Sequence, residues 1–451
     1  MIGARLDRLP ATARVWILIG LISMGGFFEN YDLFFTGYVA PGLFREHIVA
    51  PTTASFFGAG LAAFIASLFA GLFIGTMVFG FVADRFGRRT IFTYALLWYS
   101  TASVIMAFQH SATGLYTWRF LAGVGIGVEL VTIDTYISEF APKAIRGRAF
   151  ALYQAIQFSV VPIVAFLSYK LVPIDPLGIA GWRWVVVIGA VGAIAVWFIR
   201  LGVPESPRWL ASRGRIVEAG AILERLETTV AAQHGAPLPP PGAPETVVPN
   251  GNIVEIVRPP YIGRTTMLIV FNIFQTVGFY GFANWVPTLL IQQGITLTSS
   301  LLYTFIIAIA APFGPLLALR VADTMERKWL IVAASGCLAT AGIVFSQLIG
   351  AVSLILCGVI LTLSSNVLSV GLHSYQAELY PTRIRAVAVG CVYSFSRLSA
   401  VFSAFAIAFF LRDFGTLGVF TFIGGSMAIV MVVVGLFGPR VRGRSLEEIS
   451  P

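Results

Sequence analysis

Apolar runs of about 20 residues, the length of helix that crosses a bilayer core, follow one another from one end of this chain to the other. They lie near 13–38, 56–82, 90–109, 113–139, 147–171, 181–202, 264–292, 299–320, 329–349, 352–379, 386–411 and 415–438. This pattern constrains the fold more than any motif. A segment in lipid must satisfy its backbone N–H and C=O groups internally, which leaves helices and closed barrels. The runs are too long for barrel strands and lack their period-2 alternation. The expected fold class is an all-α membrane protein with 12 transmembrane helices. Composition agrees: 57% of the 451 residues are hydrophobic and 11% are charged, whereas a soluble domain carries roughly 25% charged residues. The 45 glycines suit close helix packing in lipid. The N-terminal "MIGARLDRLPATARVW" is basic and runs into the first apolar segment, as the flank of a retained span does and a cleaved signal peptide does not.

Charge sets the expected orientation. With both termini on one side, that side collects 24 of the 30 Lys and Arg. The opposite side holds Arg45, Lys170, Arg183 and Arg412, and Arg119 and Arg397 fall within spans. Basic residues favour the cytoplasmic side, so both termini are expected there, in an inner or plasma membrane. The net charge of +9 is then an orientation signal, and nucleic acid is excluded as a partner. The expected partners are the bilayer, a small-molecule substrate and protons, with the chain acting as a monomer. Cys337, Cys357 and Cys391 sit in apolar runs without metal-like spacing, so neither a metal nor a disulfide framework is expected. Gly123, Gly125 and Gly127 mimic part of a dinucleotide fingerprint but lie inside a span, where helix packing explains them. Neither a phosphate-binding loop nor a nucleophile–base pair occurs. No cofactor is expected, and catalysis and ATP-driven transport are both improbable.

"VADRFGRRT" (82–90) and "VADTMERKW" (321–329) place Asp84 and Asp323 at an offset of 239 residues. "EFAPKAIRGRA" and "ELYPTRIRAVA" place Glu139 and Glu378 at the same offset. Two matches at one offset indicate a duplicated six-helix unit. The expected organisation is a six-helix bundle over 1–202, a cytoplasmic loop over 203–263, a second bundle over 264–438 and a tail over 439–451. The loop combines amphipathic helix, "SPRWLASRGRIVEAGAILERLE", with a Pro-rich linker, "HGAPLPPPGAPETVVPNG". Two pseudo-symmetric bundles suit alternating access around a site near mid-membrane.

These segments resemble the major facilitator superfamily over nearly the whole chain. "GFVADRFGRRT" (80–90) is similar to that family's signature loop. "RFLAGVGIGVE" (119–129), "EFAPKAIRGR" (139–148), "PESPRWL" (204–210) and "GRSLEEI" (443–449) resemble the branch of sugar porters, metabolite:proton symporters and organic-ion transporters. The resemblance implies a cytoplasmic gate built from Asp84, Arg88, Arg89, Glu139, Arg146, Asp323, Glu378 and Arg385, with Glu139–Arg146 and Glu378–Arg385 as switchable pairs. The alternative for this loop is a solvated charged turn that only fixes topology. The second copy is degenerate, with Met325 and Glu326 in place of Phe and Gly.

Ionisable groups within spans are expensive and usually functional. Asp32 stands 18 residues beyond Arg14, and Arg119 stands 20 residues before Glu139, so the two lie about 27 and 30 Å up their helices. A carboxylate separated from its guanidinium in a dry site takes up a proton. "NYD" and Arg119 are also similar to the coupling pair of proton-linked sugar porters. Asp32 is the expected proton carrier and Arg119 its modulator; a static salt bridge is the alternative. Glu29, one helical turn from Asp32, and Glu129 are candidates for a second proton site, a substrate contact or a packing hydrogen bond. Asp134 and His373, again 239 apart, are expected at the gate.

Arg397 is the sharpest substrate clue, because a buried guanidinium needs an anion and the spans of its own half offer no acid. A substrate carboxylate is one candidate; Glu29 or Glu129 from the other half is another. An Arg in this helix also resembles the anion-binding Arg of organic-anion and aromatic-acid transporters. Gln154, Gln157, Gln275, Tyr280, Asn284 and Trp285 are the expected neutral lining, with packing alone as the alternative. Gln154 and Gln275 match sugar porters. Phe274, Tyr280 and Trp285 with Arg397 fit a flat aromatic acid better, and Arg440 and Val441 replace the Glu and Thr of sugar porters. The expected function is a proton-coupled symporter importing a small organic acid, with a nicotinate-like acid as one form. The alternatives are a sugar or polyol porter and a transport-dead sensor signalling through 203–263.

Overall fold

A computed structural model describes residues 2–200, 203–241, 253–322 and 325–441. Its regular elements are helices: α1 (Ile2–Asp7), α2 (Ala13–Arg45), α3 (Leu61–Phe86), α4 (Arg88–Ala107), α5 (Ala112–Phe140), α6 (Arg146–Leu171), α7 (Gly181–Arg200), α8 (Pro207–Ser212), α9 (Ile216–His234), α10 (Ile262–Ala283), α11 (Val286–Gln292), α12 (Leu297–Ala308), α13 (Phe313–Ala322), α14 (Arg327–Phe345), α15 (Ala351–Glu378) and α16 (Thr382–Phe437). Helices α2 to α7 coincide with the first six apolar runs. Two later runs are broken. The seventh pauses between α10 and α11, where Pro287 stands in the first turn of the new helix. The eighth pauses between α12 and α13 around Pro312. A proline lacks the N–H that would continue the ladder and crowds the turn before it. The last two runs form one continuous element, α16, which reverses at Gly415 with φ 65° and ψ −162°, a conformation that only glycine adopts easily.

In the first half, α3 and α5 cross with their backbones nearly touching. A side chain at Gly127 would put its Cβ 2.5 Å from the Leu72 carbonyl, and one at Gly123 would collide with that of Leu68. The glycine run in α5 is a packing surface, as in other close helix pairs in lipid. Gly125 faces Trp98 and Tyr99 of α4 instead.

The end of the bundle where α2 begins and α16 finishes carries the termini; the other end is called distal below. One large apolar core joins both halves, and it draws on the distal portions of the first half, such as Phe34, Phe69, Val161 and Trp182. The terminus-side portion of that half, from Leu6 through Ile22, Tyr136 and Tyr153, forms a separate core. The distal end is also strapped. Phe56 and Phe57, in the connection between α2 and α3, pack against Phe405, 6.2 and 5.1 Å between ring centres. Arg412 donates from Nη1 to the Thr53 carbonyl at 3.0 Å and also to that of Ala54. The halves are therefore closed together distally.

Helix α1 lies across the terminus-bearing end. Its Arg5 bonds Glu227 of α9 at 2.6 Å, and Arg8, just beyond it, bonds the same carboxylate at 2.8 Å. Asp7 accepts from the Lys143 N–H at 3.0 Å, from Arg208 at 2.8 Å and from Arg146 at 3.3 Å.

Candidate functional site

Asp32 and Arg119 meet. Arg119 donates from Nη1 to Asp32 Oδ2 at 3.0 Å, and its Nη2 reaches the Asp32 carbonyl and the Thr36 hydroxyl. The other carboxylate oxygen accepts from Ser103 at 2.9 Å. Phe35 and Phe64 cover the guanidinium, 4.3 and 5.6 Å from its carbon to the ring centres. Arg119 is 0% and Asp32 4% exposed. The pair is dry, with each carboxylate oxygen satisfied, which is the condition under which a buried carboxylate stays ionised. Thr36 lies one turn beyond Asp32, so the i, i+4 rule for helix faces marks it; nothing in the sequence pattern marks Ser103, which arrives from α4.

A second polar group sits between the halves. Arg397 of α16 donates to the Tyr280 hydroxyl of α10 at 2.8 Å and to that of Tyr393 at 3.2 Å. Its carbon also lies 5.0 Å from the Tyr393 ring centre. His373 of α15 touches the same ring edge-on, 5.0 Å between centres. From the first half, Glu29 and Asp134 interact through space with Arg397. Asp134 is exposed although protein surrounds it, so its carboxylate faces an internal vestibule. Glu29 and Glu129 are buried. Asp134 and His373, expected at the gate, both lie beside Arg397 and Tyr393. Tyr393 carries its own sequence signal in the i, i+4 spacing to Arg397.

The neutral candidates divide. Gln154 and Gln157 are half-buried, and neither amide side chain bonds protein among the described residues. The Gln157 carbonyl accepts from Asn30 at 3.2 Å. Gln275 is buried with its Oε1 unbonded. Trp285 does not wall a site: it is 1% exposed and belongs to the joint core, because the break at 284–285 turns it inward. Asn284, with Oδ1 unbonded, lies in the same break against Gly37.

Phe34, Phe158 and Phe279 form a mutual triangle at 6.3, 6.5 and 6.4 Å. Beyond it, on the distal side, lies a small cavity of about 50 Å³ bordered by Tyr38, Phe282, Thr304 and Asn366.

The pairings at the terminus-bearing end differ in part from those expected. Glu139 meets Arg88 at 3.3 Å rather than Arg146, which turns to Asp7. Glu378 meets Arg327 at 2.8 Å and also interacts through space with Arg385, as expected, while Arg385 donates to the Tyr380 carbonyl at 3.2 Å. In both halves the acid reaches the start of the neighbouring span rather than the loop that follows it, because that helix start packs alongside. The Asp84 side chain and residue Asp323 lie outside the described residues. Glu205 lies within "PESPRWL". Its carboxylate accepts from the main-chain N–H of Arg88 at 3.1 Å and of Arg89 at 3.2 Å. Among the described residues, no group of three His, Cys, Asp or Glu is placed to hold a metal.

A model of the family described as sugar (and other) transporter matches residues 18–451. The chain belongs to this family of the major facilitator superfamily. It is 34% identical over 98% of its length to a putative metabolite transport protein of Bacillus subtilis, covering 96% of that protein. It is 26% identical to a niacin transporter of Acinetobacter baylyi, covering 99% of each. Among solved structures it matches a partially occluded, inward-open xylose transporter from E. coli with a TM-score of 0.75 at 20% identity, over 96% of this chain and 99% of that one. The family is one of membrane transporters of sugars and other metabolites rather than enzymes. Its fold is two six-helix bundles, and the Arg397 group lies where those bundles meet.

Proposed function

We propose that this transporter is a proton-coupled symporter that imports a small organic acid. The observation that carries the reading is Arg397, buried between the halves and held by two tyrosine hydroxyls that leave it its positive charge. A guanidinium so placed recognises a carboxylate. The surrounding rings of Tyr280, Tyr393 and the Phe34–Phe158–Phe279 triangle favour a flat, aromatic acid, and the similarity to a niacin transporter points the same way. Glu29, Gln154, Gln157 and Gln275 complete the site in this reading.

Asp32 carries the coupled proton. With Arg119 engaged and both oxygens satisfied it is ionised in the state described here, in which the distal end is closed and the vestibule faces the terminus-bearing, cytoplasmic side. Movement of α2 against α5 separates the pair; the isolated carboxylate then takes up a proton from outside. The pairs Arg88–Glu139 and Arg327–Glu378, with Arg89, Arg146 and Arg385 nearby, form the gate that closes when the halves rock.

A sugar or polyol porter is the second reading. It is favoured by the unbonded Oε1 of buried Gln275, a waiting acceptor for a hydroxyl. Uptake into proteoliposomes under an acidic-outside gradient separates the two. Protonophore-sensitive accumulation of nicotinate or benzoate is expected; accumulation of xylose alone would favour the porter.

A further inference from the structure

Asp134 is the one carboxylate of the central group that is open to solvent. Among the described residues it makes neither a hydrogen bond nor an ion pair. Its repeat partner, His373, packs on the ring whose hydroxyl accepts from Arg397. The pseudo-symmetry therefore brings Asp134 from α5 and His373 from α15 to the neighbourhood of one guanidinium. The groups that interact with Asp134 are Tyr153 on α6 and Tyr393 and Arg397 on α16; Glu29 on α2 shares all three with it, and His373 on α15 shares Tyr393 and Arg397. Glu129 lies on its own helix, and Arg88 of α4 is engaged by Glu139. On α3, the side chains of 78–84 lie outside the described residues.

Glu29 and Asp134 together place two carboxylates near one guanidinium. A substrate carboxylate arriving there makes a third. Like charges sharing one cation in a poorly screened site repel, and protonation of one relieves the repulsion. Glu29, at 1% exposed, has no direct path to water; Asp134 does.

We infer that Asp134 is a second proton-binding residue, located at the substrate site, and that its protonation admits the substrate carboxylate to Arg397. The inference rests on the organic-acid reading and deepens it. The substrate anion enters from outside with a proton of its own, taken up by Asp134 when the site opens that way and separate from the proton on Asp32. The loaded site carries the same charge as the empty one, and release of the anion on the terminus-bearing side gives the proton up into the vestibule there. With Asp32 also loaded, two protons accompany one monoanion.

The test is binding of nicotinate and benzoate to the purified full chain, followed by calorimetry between pH 5.5 and 8. The wild-type affinity is expected to fall about tenfold per pH unit over the upper part of this range. Asp134→Asn is expected to bind with an affinity independent of pH. Asp32→Asn should keep the wild-type slope and still take up about one proton per ligand in weakly buffered solution. Asp134→Glu, which keeps the carboxylate, should restore the slope if the Asn variant folds poorly. An Asp134→Asn protein with the wild-type pH profile overturns the inference and leaves the organic-acid reading standing. So does loss of the slope in Glu29→Gln alone, or no proton uptake in Asp32→Asn. A wild-type chain that binds xylose and neither acid overturns both.

Discussion

Glu205 closes the start of the helix that begins at Arg88. Its carboxylate accepts the Arg88 N–H at 3.1 Å and the Arg89 N–H at 3.2 Å. Gly87, the residue before that helix, has no side chain to do so. A negative group at a helix N-terminus satisfies orphan donors and opposes the positive end of the dipole. Glu205→Ala is expected to cost about 1 kcal/mol, read as a lower thermal midpoint of the purified protein. Glu205→Gln should recover part of it. An unchanged midpoint in Glu205→Ala would show that water caps the helix equally well.

Removing the charge of Asp32 should uncouple transport. Asp32→Asn is expected to abolish accumulation against a gradient while leaving exchange of internal for external substrate intact. Counterflow and gradient-driven uptake in the same proteoliposomes measure the two. Concentrative uptake by the Asn variant would remove Asp32 from the proton path.

Tyr280 and Tyr393 hold Arg397 in place rather than neutralising it. Each hydrogen bond to a charged group contributes about 1.5–3 kcal/mol, part of which water can replace at a site open to a vestibule. Tyr280→Phe and Tyr393→Phe should each weaken carboxylate binding about tenfold, and Arg397→Ala should weaken it further. The double tyrosine variant should lose less than the sum, because both act through one guanidinium. Equilibrium binding of nicotinate reads all four; additive losses would mean independent substrate contacts.

Acid should release the N-terminal helix. Burial alone pushes the Glu227 carboxyl up, but the hydrogen bonds and charges of Arg5 and Arg8 outweigh it and hold Glu227 below its ordinary value. A depressed carboxyl stabilises the docked form above its unfolded value of about 4.3. That contribution disappears as pH falls through the lower, folded value. A spin label at Ile2→Cys should stay immobile at neutral pH and become mobile only below about pH 4. In Glu227→Gln it should be mobile throughout; an immobile label there would assign the docking to Asp7 instead.

Long apolar runs and the 239-residue offset made the helices and their duplication legible, because lipid allows so few backbone solutions. Asp32 and Arg119 could be paired from their similar depth along their helices together with the resemblance of "NYD" and Arg119 to a known coupling pair. Trp285 could not be assigned correctly in the same way: its direction depends on the break before Pro287, and a hydropathy run reads through such breaks. The ion-pair partners of Glu139 and Glu378 were illegible for another reason. Nearness in sequence points to Arg146 and Arg385, of which Arg385 does interact with Glu378, whereas helix packing presents Arg88 and Arg327. Asp134 resembles a gate residue by its distance from the helix end; its approach to Arg397 on another helix is a tertiary property.

Gly37 of α2 lies against the backbone of Asn284, so that a Cβ at position 37 would stand 2.5 Å from the Asn284 carbonyl oxygen. It is here that main chain meets main chain across the two halves, at the interruption between α10 and α11. Bare backbone at this crossing lets the two halves approach more closely than side chains on both would allow, and any residue larger than glycine at 37 would wedge them apart.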